Sequence, residues 1–222
     1  MVVNAQTGPA VAHNGSGATA GPVWSFTTAA APASPTNIVI YASDVNAAGV
    51  HGSWTFTSDA TAAASVTLAT PDLGVANTSA PLATPTDYFE TSFTANAGVP
   101  YTVWLRLKAT ANSKYNDSVF VQFSDALASG SAIYQTNTTS GLAVNLATDA
   151  GASSLDNWGW INSAYWLSQP TTLTFASSGT HTIRIQVRED GVELDQIVLS
   201  PTTYLSAAPG GVTNDTTIVA KP

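Results

Sequence analysis

The chain has 222 residues, of which only 9 % are charged, with six Lys and Arg against fourteen Asp and Glu and a formal charge of −8. A typical globular domain is about 25 % charged, so small and hydroxylated residues must cover this surface, as in an extracellular β protein rather than a cytosolic enzyme. So few cations argue against electrostatic capture of nucleic acid or of an anionic membrane.

There is no cysteine, hence neither a disulfide framework nor thiol chemistry. No run of about 20 apolar residues is present to cross a bilayer as a helix. Met1-Val-Val-Asn-Ala-Gln6 lacks a charged start and a long apolar stretch, so a secreted protein would carry its signal upstream of this sequence.

In chain order, Asn14-Gly15-Ser16-Gly17 reads as a flexible loop, and Gly21-Pro22-Val23-Trp24-Ser25-Phe26-Thr27-Thr28 as an alternating strand. Residues 29–36, with Pro32 and Pro35, read as a linker. From Asn37 the pattern is all-β. Strands are expected at Ile38–Tyr41, Trp54–Thr57, Ser65–Leu68, Tyr88–Thr94, Tyr101–Lys108 and Val119–Phe123. A short one is expected at Ala132–Tyr134, and three more at Thr171–Phe175, Thr182–Val187 and Val192–Leu199. No window carries helical periodicity with caps, and regular turn signals between short strands argue a β-sandwich over residues 37–206. Residues 207–222 form a tail expected to lie along the sandwich or to fray.

The stretch Leu155-Asp-Asn-Trp-Gly-Trp-Ile-Asn-Ser-Ala-Tyr-Trp166 holds three of the six tryptophans and a tyrosine. Aromatic residues interleaved with Asn157, Gly159, Asn162 and Ser163 read as a structured loop. Its flat rings either meet the C–H faces of a sugar or plug one end of the core. Trp158, Trp160, Tyr165 and Trp166 are the candidate contacts, with Asn116, Asn157, Asn162, Lys114 and Glu193 as polar groups able to converge on hydroxyls. Lys114 and Arg188 are the cations near these loops.

Two resemblances follow. Residues 1–28 resemble the last strands of bacterial fibronectin type III modules, on the Asn- and Gly-rich loop and the Gly-Pro-Val-Trp-Ser-Phe-Thr-Thr segment. Further on stand Asp87-Tyr88-Phe89, Ala97 to Arg106, Ser118 to Phe123, Asn157-Trp158-Gly159-Trp160, Ser178-Gly-Thr-His-Thr-Ile-Arg-Ile185 and Val192-Glu-Leu-Asp-Gln-Ile197. In that order they are similar to carbohydrate-binding modules of the family 6 and family 35 type, over roughly Ile38 to Tyr204.

That resemblance implies a galactose-binding-like β-sandwich (jelly roll) whose loops at one end bind a polysaccharide or oligosaccharide. It further implies a secreted protein in which the module is tethered to a catalytic or adhesive domain. Glu193 stands where the family often has Asn, and no aromatic occurs in residues 73–86 to supply the family's second ring, for which Trp54 or Tyr115 is a substitute. Many such modules hold a structural calcium ion; Asp44 and Asp195 are the implied ligands here, the alternative being a turn cap and a buried hydrogen bond.

No catalytic constellation can be assembled. Glu189-Asp190-Gly191 is hairpin-turn chemistry, the three histidines are scattered, and there is no nucleophile elbow or zinc motif. A binding module is therefore expected rather than an enzyme. The alternative is a structural spacer or adhesive domain without a glycan site, which full burial of the loop tryptophans would favour.

Overall fold

The computed structural model describes residues 35–222 in full and, before them, the backbone of two short strands. Those strands, Val11–Asn14 (β1) and Gly17–Ala20 (β2), pair antiparallel with Val11 opposite Ala20. The fibronectin-like strand at 21–28 and most of the expected linker lie outside the described residues. The chain divides into two compact units, Met1–Ser34 and Pro35–Pro222.

The second unit contains Ile38–Tyr41 (β3), Val50–His51 (β4), Thr55–Ser58 (β5), Val66–Ala69 (β6), Tyr88–Ala95 (β7) and Tyr101–Ala109 (β8). Ser118–Phe123 (β9), Ala126–Ala128 (β10), Ser131–Ala132 (β11) and Leu142–Asn145 (β12) follow. Trp158–Ile161 (β13), Thr172–Phe175 (β14), Gly179–Val187 (β15) and Val192–Ser200 (β16) complete it. Among the described residues the only helical pieces are single 3-10 turns such as Ala42–Asp44 and Thr110–Asn112.

The strands form a two-sheet, wholly antiparallel β-sandwich, as the patterning requires. One sheet runs β11-β10-β14-β8-β16-β6-β5, with β13 also on β8 and β3 also on β16; the other runs β12-β9-β15-β7-β4. Strand alternation sends one set of side chains between the sheets. Tyr101, Val103, Leu105 and Leu107 of β8 and Val192, Leu194, Ile197 and Leu199 of β16 meet Phe89 and Phe93 of β7, Val119, Val121 and Phe123 of β9, and Ile183 and Ile185 of β15.

The outer face of the larger sheet is also dry. Trp104, Trp160 and Val198 on that face pack with Val219, Tyr204 and Ala208 from the C-terminal segment, which forms no strand yet runs across the sheet. Polar contacts fix its course. Trp104 Nε1 donates to the Tyr204 carbonyl at 2.7 Å and Arg106 Nη2 to that of Asp215 at 3.0 Å. The Gln196 amide donates to the Val219 carbonyl at 2.8 Å and accepts from its N–H at 3.1 Å. A buried amide that satisfies both backbone groups of one residue holds the segment as a strand partner would.

Three elements differ from the sequence expectation. The stretch expected to be an aromatic loop contains a true strand, β13, paired to β8 with Trp158 opposite Lys108 and Trp160 opposite Arg106. β12 lies inside what reads as a polar connection, and β10 forms a hairpin with β11 that the sequence only half announces.

Candidate functional site

β13 decides the fate of its two tryptophans. Residues 158 and 160 share a face, and that face points outward, where the C-terminal segment roofs it. Both are 0 % exposed. The Trp160 N–H donates to the Gly211 carbonyl at 2.9 Å, the Asp215 N–H to the Trp158 carbonyl at 2.8 Å, and Trp160 Nε1 to the Thr217 carbonyl at 3.1 Å. The segment comes so close that a Cβ on Gly159 would lie 2.1 Å from the Val212 carbonyl oxygen, so only glycine fits there. These rings are covered by protein, so they are no platform for a ligand.

Trp158 faces cations instead. Arg106 lies 4.8 Å and Lys108 Nζ 4.6 Å from its ring centroid, and its Nε1 donates to Thr61 Oγ1 at 2.8 Å. Lys108 Nζ pairs with Asp59 at 2.5 Å and with Glu193 at 2.9 Å, so the Glu193 carboxylate serves an ion pair on the sheet. Burial opposes ionisation of Asp59, but hydrogen bonds from Lys108 and Thr61 outweigh it and hold that carboxyl down at about 2.

Asp195 sits at a register shift in β16 and is fully buried. One of its oxygens accepts from Arg106 Nη1 at 2.5 Å and the other from the Ala63 N–H at 2.7 Å. Asp44 accepts from the Tyr41 N–H at 2.8 Å and from Lys221 Nζ at 2.5 Å. Each carboxylate thus has its own cation from the chain, and among the described residues no three His, Asp or Glu gather as metal ligands. A calcium ion needs six to eight oxygens and would have to displace these partners. The donor set does not fit it.

Asn116 and Asn157 are likewise engaged in structure. Asn116 is 2 % exposed, and its amide donates to Asp72 at 2.9 Å and to the Thr110 carbonyl at 3.2 Å. It also lies under Gly191, where an added Cβ would fall 2.8 Å from it. Asn157 adopts φ 55° and gives its backbone N–H to Asn112 Oδ1 at 3.0 Å, which turns the chain into β13.

Of the rings the sequence singled out, Tyr165, Trp166 and Tyr115 are exposed, at 48, 43 and 67 %. They come from two loops, after β13 and after β8, and line one cleft of about 340 Å³. Asn77, Lys114, Asn145, Asp149, Arg188 and Glu189 complete its polar walls. A wider trough of about 590 Å³ adjoins it and shares Asn77, Tyr115 and Glu189. Tyr165 meets Trp166 edge to face at 4.7 Å, and the Arg188 guanidinium stands 4.9 Å from the Trp166 centroid. Lys114 lies 5.4 Å from the Tyr115 ring.

Below the floor the carboxyls are fixed. Glu189 accepts from Ser118 Oγ at 2.5 Å, Arg188 Nη1 at 2.7 Å and Asn77 Nδ2 at 3.2 Å. Asp117 accepts from Asn145 Nδ2 at 3.1 Å and the Ala147 N–H at 2.8 Å. Burial first, then the hydrogen bond to Glu189, pushes the Asp117 carboxyl up to about 8. The cleft therefore offers aromatic faces, amides, two cations, the exposed Asp149 carboxyl and the nearly buried Glu189 carboxyl.

Of the sequence candidates, the structure brings Tyr165 and Trp166 together, with Tyr115 beside them. It leaves Trp158, Trp160, Asn157 and Glu193 outside the cleft. Asn77, Asn145 and Glu189 escaped notice as contacts, because residues 73–86 carry no ring to attract attention and Asn145 ends a strand hidden in a polar connection.

No family model matches the chain, and no curated protein matches it. Solved structures do. The chain is similar to a Podospora anserina GH26-CBM35 β-(1,4)-mannanase (12 % identity, TM-score 0.46), spanning 76 % of this chain but 28 % of that one. It is similar to the C-terminal CBM6 of LamC, a marine laminarinase from Zobellia galactanivorans (12 % identity, TM-score 0.41), over 74 % of this chain and 98 % of that one. A carbohydrate-binding module from Cellvibrio mixtus lichenase 5A, solved in complex with cellotriose, matches at 16 % identity and TM-score 0.38 over 76 % of this chain and all of that one.

Proposed function

We propose that this chain is a non-catalytic carbohydrate-binding module of a secreted multidomain bacterial protein, taking a polysaccharide in the cleft of Tyr115, Tyr165 and Trp166. One observation carries the reading. Three exposed rings from two loops converge on one cleft whose walls are amides and partly neutralised charges. Exposed aromatic side chains cost free energy in water unless something covers them. A sugar satisfies both halves of this site, with C–H faces for the rings and hydroxyls for the exposed Asn77, Lys114 and Asp149. The family 6 and family 35 resemblance of the sequence supports the same reading. A partner domain, catalytic or adhesive, fits the fibronectin-like residues ahead of the sandwich.

Binding without hydrolysis agrees with the carboxyl geometry. A glycosidase holds two carboxyls about 5 to 10 Å apart across the scissile bond. Here Asp117 and Glu189 adjoin each other below the floor, while Glu193 and Asp195 are tied to Lys108 and Arg106.

Affinity gel electrophoresis through β-glucan, mannan, galactan and dextran tests the proposal, with Trp166→Ala, Tyr165→Ala and Tyr115→Ala as variants. The wild type is expected to be retarded by at least one of these gels. Loss of about 1.4 kcal/mol of ring contact weakens binding about tenfold, so Trp166→Ala migrates nearly freely. If no polysaccharide retards the wild type, the spacer reading replaces this one.

A further inference from the structure

The floor of the cleft holds a carboxyl group in an unusual state. Asp117, at the entry to β9, is 0 % exposed. Its Oδ2 takes both donors that reach it, from Asn145 and Ala147, so as a carboxylate it would bury Oδ1 with no donor at all. A buried oxygen without a partner is costly, and an ionised one more so. The neighbouring Glu189 carboxyl offers the remedy, because a protonated Oδ1 donates to it.

Among the described residues Arg188 is the one cation facing the pair, and it already serves Glu189 and Ser118, at 2.7 and 2.8 Å. The loop after β12 presents only the neutral Asn145 amide and the Ala147 N–H. Asp190 is occupied by the Leu73 and Val75 N–H groups and Asp72 by Asn116, while Asp149 bonds to Gly151 and Ser153 within its own loop. Lys114 reaches the Ala150 carbonyl. Two carboxyls thus share one guanidinium, and that guanidinium lies against a face of Trp166.

We propose that Asp117 is a positioning residue of the cleft that works as a neutral acid, its proton holding Glu189 on Arg188 and Arg188 against one face of Trp166. The consequence for sugar binding rests on the function proposed above: Trp166 presents a single free face, and the site keeps that shape only while Asp117 is protonated. The linkage on the protein side stands without it. The Asp117 carboxyl, raised to about 8 chiefly by burial, loses its proton as pH climbs through that value. Two buried carboxylates then repel, Glu189 moves off, and Arg188 leaves the ring.

The test reads the free protein and needs no ligand. The fluorescence of the full chain minus that of Trp166→Phe is followed from about pH 6 to about pH 9.5. A step in this difference is expected near pH 8. Asp117→Asn donates the same hydrogen bond without titrating, so in it the step disappears while near-ultraviolet dichroism at neutral pH is unchanged. Glu189→Gln removes the neighbouring charge and moves the midpoint down. A step that survives in Asp117→Asn at an unchanged midpoint overturns the proposal, and so does a wild type whose Trp166 signal is flat across the range. Failure of every polysaccharide to retard the protein leaves this titration intact, so the two ideas fail separately.

Discussion

Two tryptophans six residues apart should behave in opposite ways when truncated. Trp160 is fully buried against Trp104, Val198 and Val219, and its Nε1 satisfies the Thr217 carbonyl. Trp160→Ala leaves a cavity the size of an indole and a buried carbonyl without a donor, so a cost of about 3–5 kcal/mol is expected. For a domain of this size each kcal/mol moves Tm by about 2–4 °C, hence a fall of roughly 6–20 °C. Trp166 loses only an edge contact with Tyr165 and the Arg188 cation, worth about 1 kcal/mol at an exposed site, so its Tm drops by no more than about 4 °C. Calorimetry of both variants, with gel retention on the same samples, makes the comparison. A Trp160→Ala protein that melts with the wild type would refute the roofed-sheet account. Equal losses of stability in the two variants would refute the division of roles.

Two further outcomes follow from the charges. Asp59 has its carboxyl lowered to about 2, so it stabilises the fold above its unfolded value of 3.8 and loses that contribution as pH falls towards 2. The Asp59–Lys108 pair is partly solvated, and screening reduces its worth to about 1 kcal/mol. Urea titrations should show the wild type ahead of Asp59→Asn by that margin at pH 5 and level with it below pH 2. Because Arg106 and Lys221 occupy Asp195 and Asp44, neither EDTA nor added calcium should move Tm by more than about 1 °C; a rise with calcium would show that the ion displaces them.

The sandwich was legible because its main strands are governed by local alternation. β3, β7, β8, β9, β14, β15 and β16 fall within a residue or a few of the stretches that the pattern of β-branched and aromatic residues marks. β12 was not, since Leu142-Ala-Val-Asn145 is short and carries no aromatic, and its burial comes from pairing with β9 rather than from its own pattern. The same locality explains the site. Tyr165 and Trp166 lie beyond the end of β13, and although Arg188 returns to one face of Trp166, both rings stay exposed. Trp158 and Trp160 have the same composition around them but are buried by distant residues, Trp160 by Thr217 and Val219 and Trp158 by Thr61, Arg106 and Lys108, a tertiary event that no local reading detects. Asp117 shows its chemistry only when β9, the turn after β15 and the end of β12 are brought together.

The C-terminal segment closes the outer face of the larger sheet. Without it, Trp104, Trp158 and Trp160 would form an apolar stripe along the outer face of the larger sheet, the kind of patch that soluble chains rarely leave open. Covering that stripe satisfies Trp104 Nε1, Trp160 Nε1, Arg106 and the Gln196 amide at once, each with a backbone group of the segment. Once these donors are engaged, polar exchange with a sugar on that face would have to break bonds that are already made. At the loop end the balance is reversed. Tyr165 and Trp166 meet edge to face, Arg188 lies against Trp166 and Lys114 near Tyr115, and each ring keeps surface in water. Covering those rings breaks no hydrogen bond of their side chains, and this difference in what must be broken supports the cleft, rather than the sheet, as the proposed site.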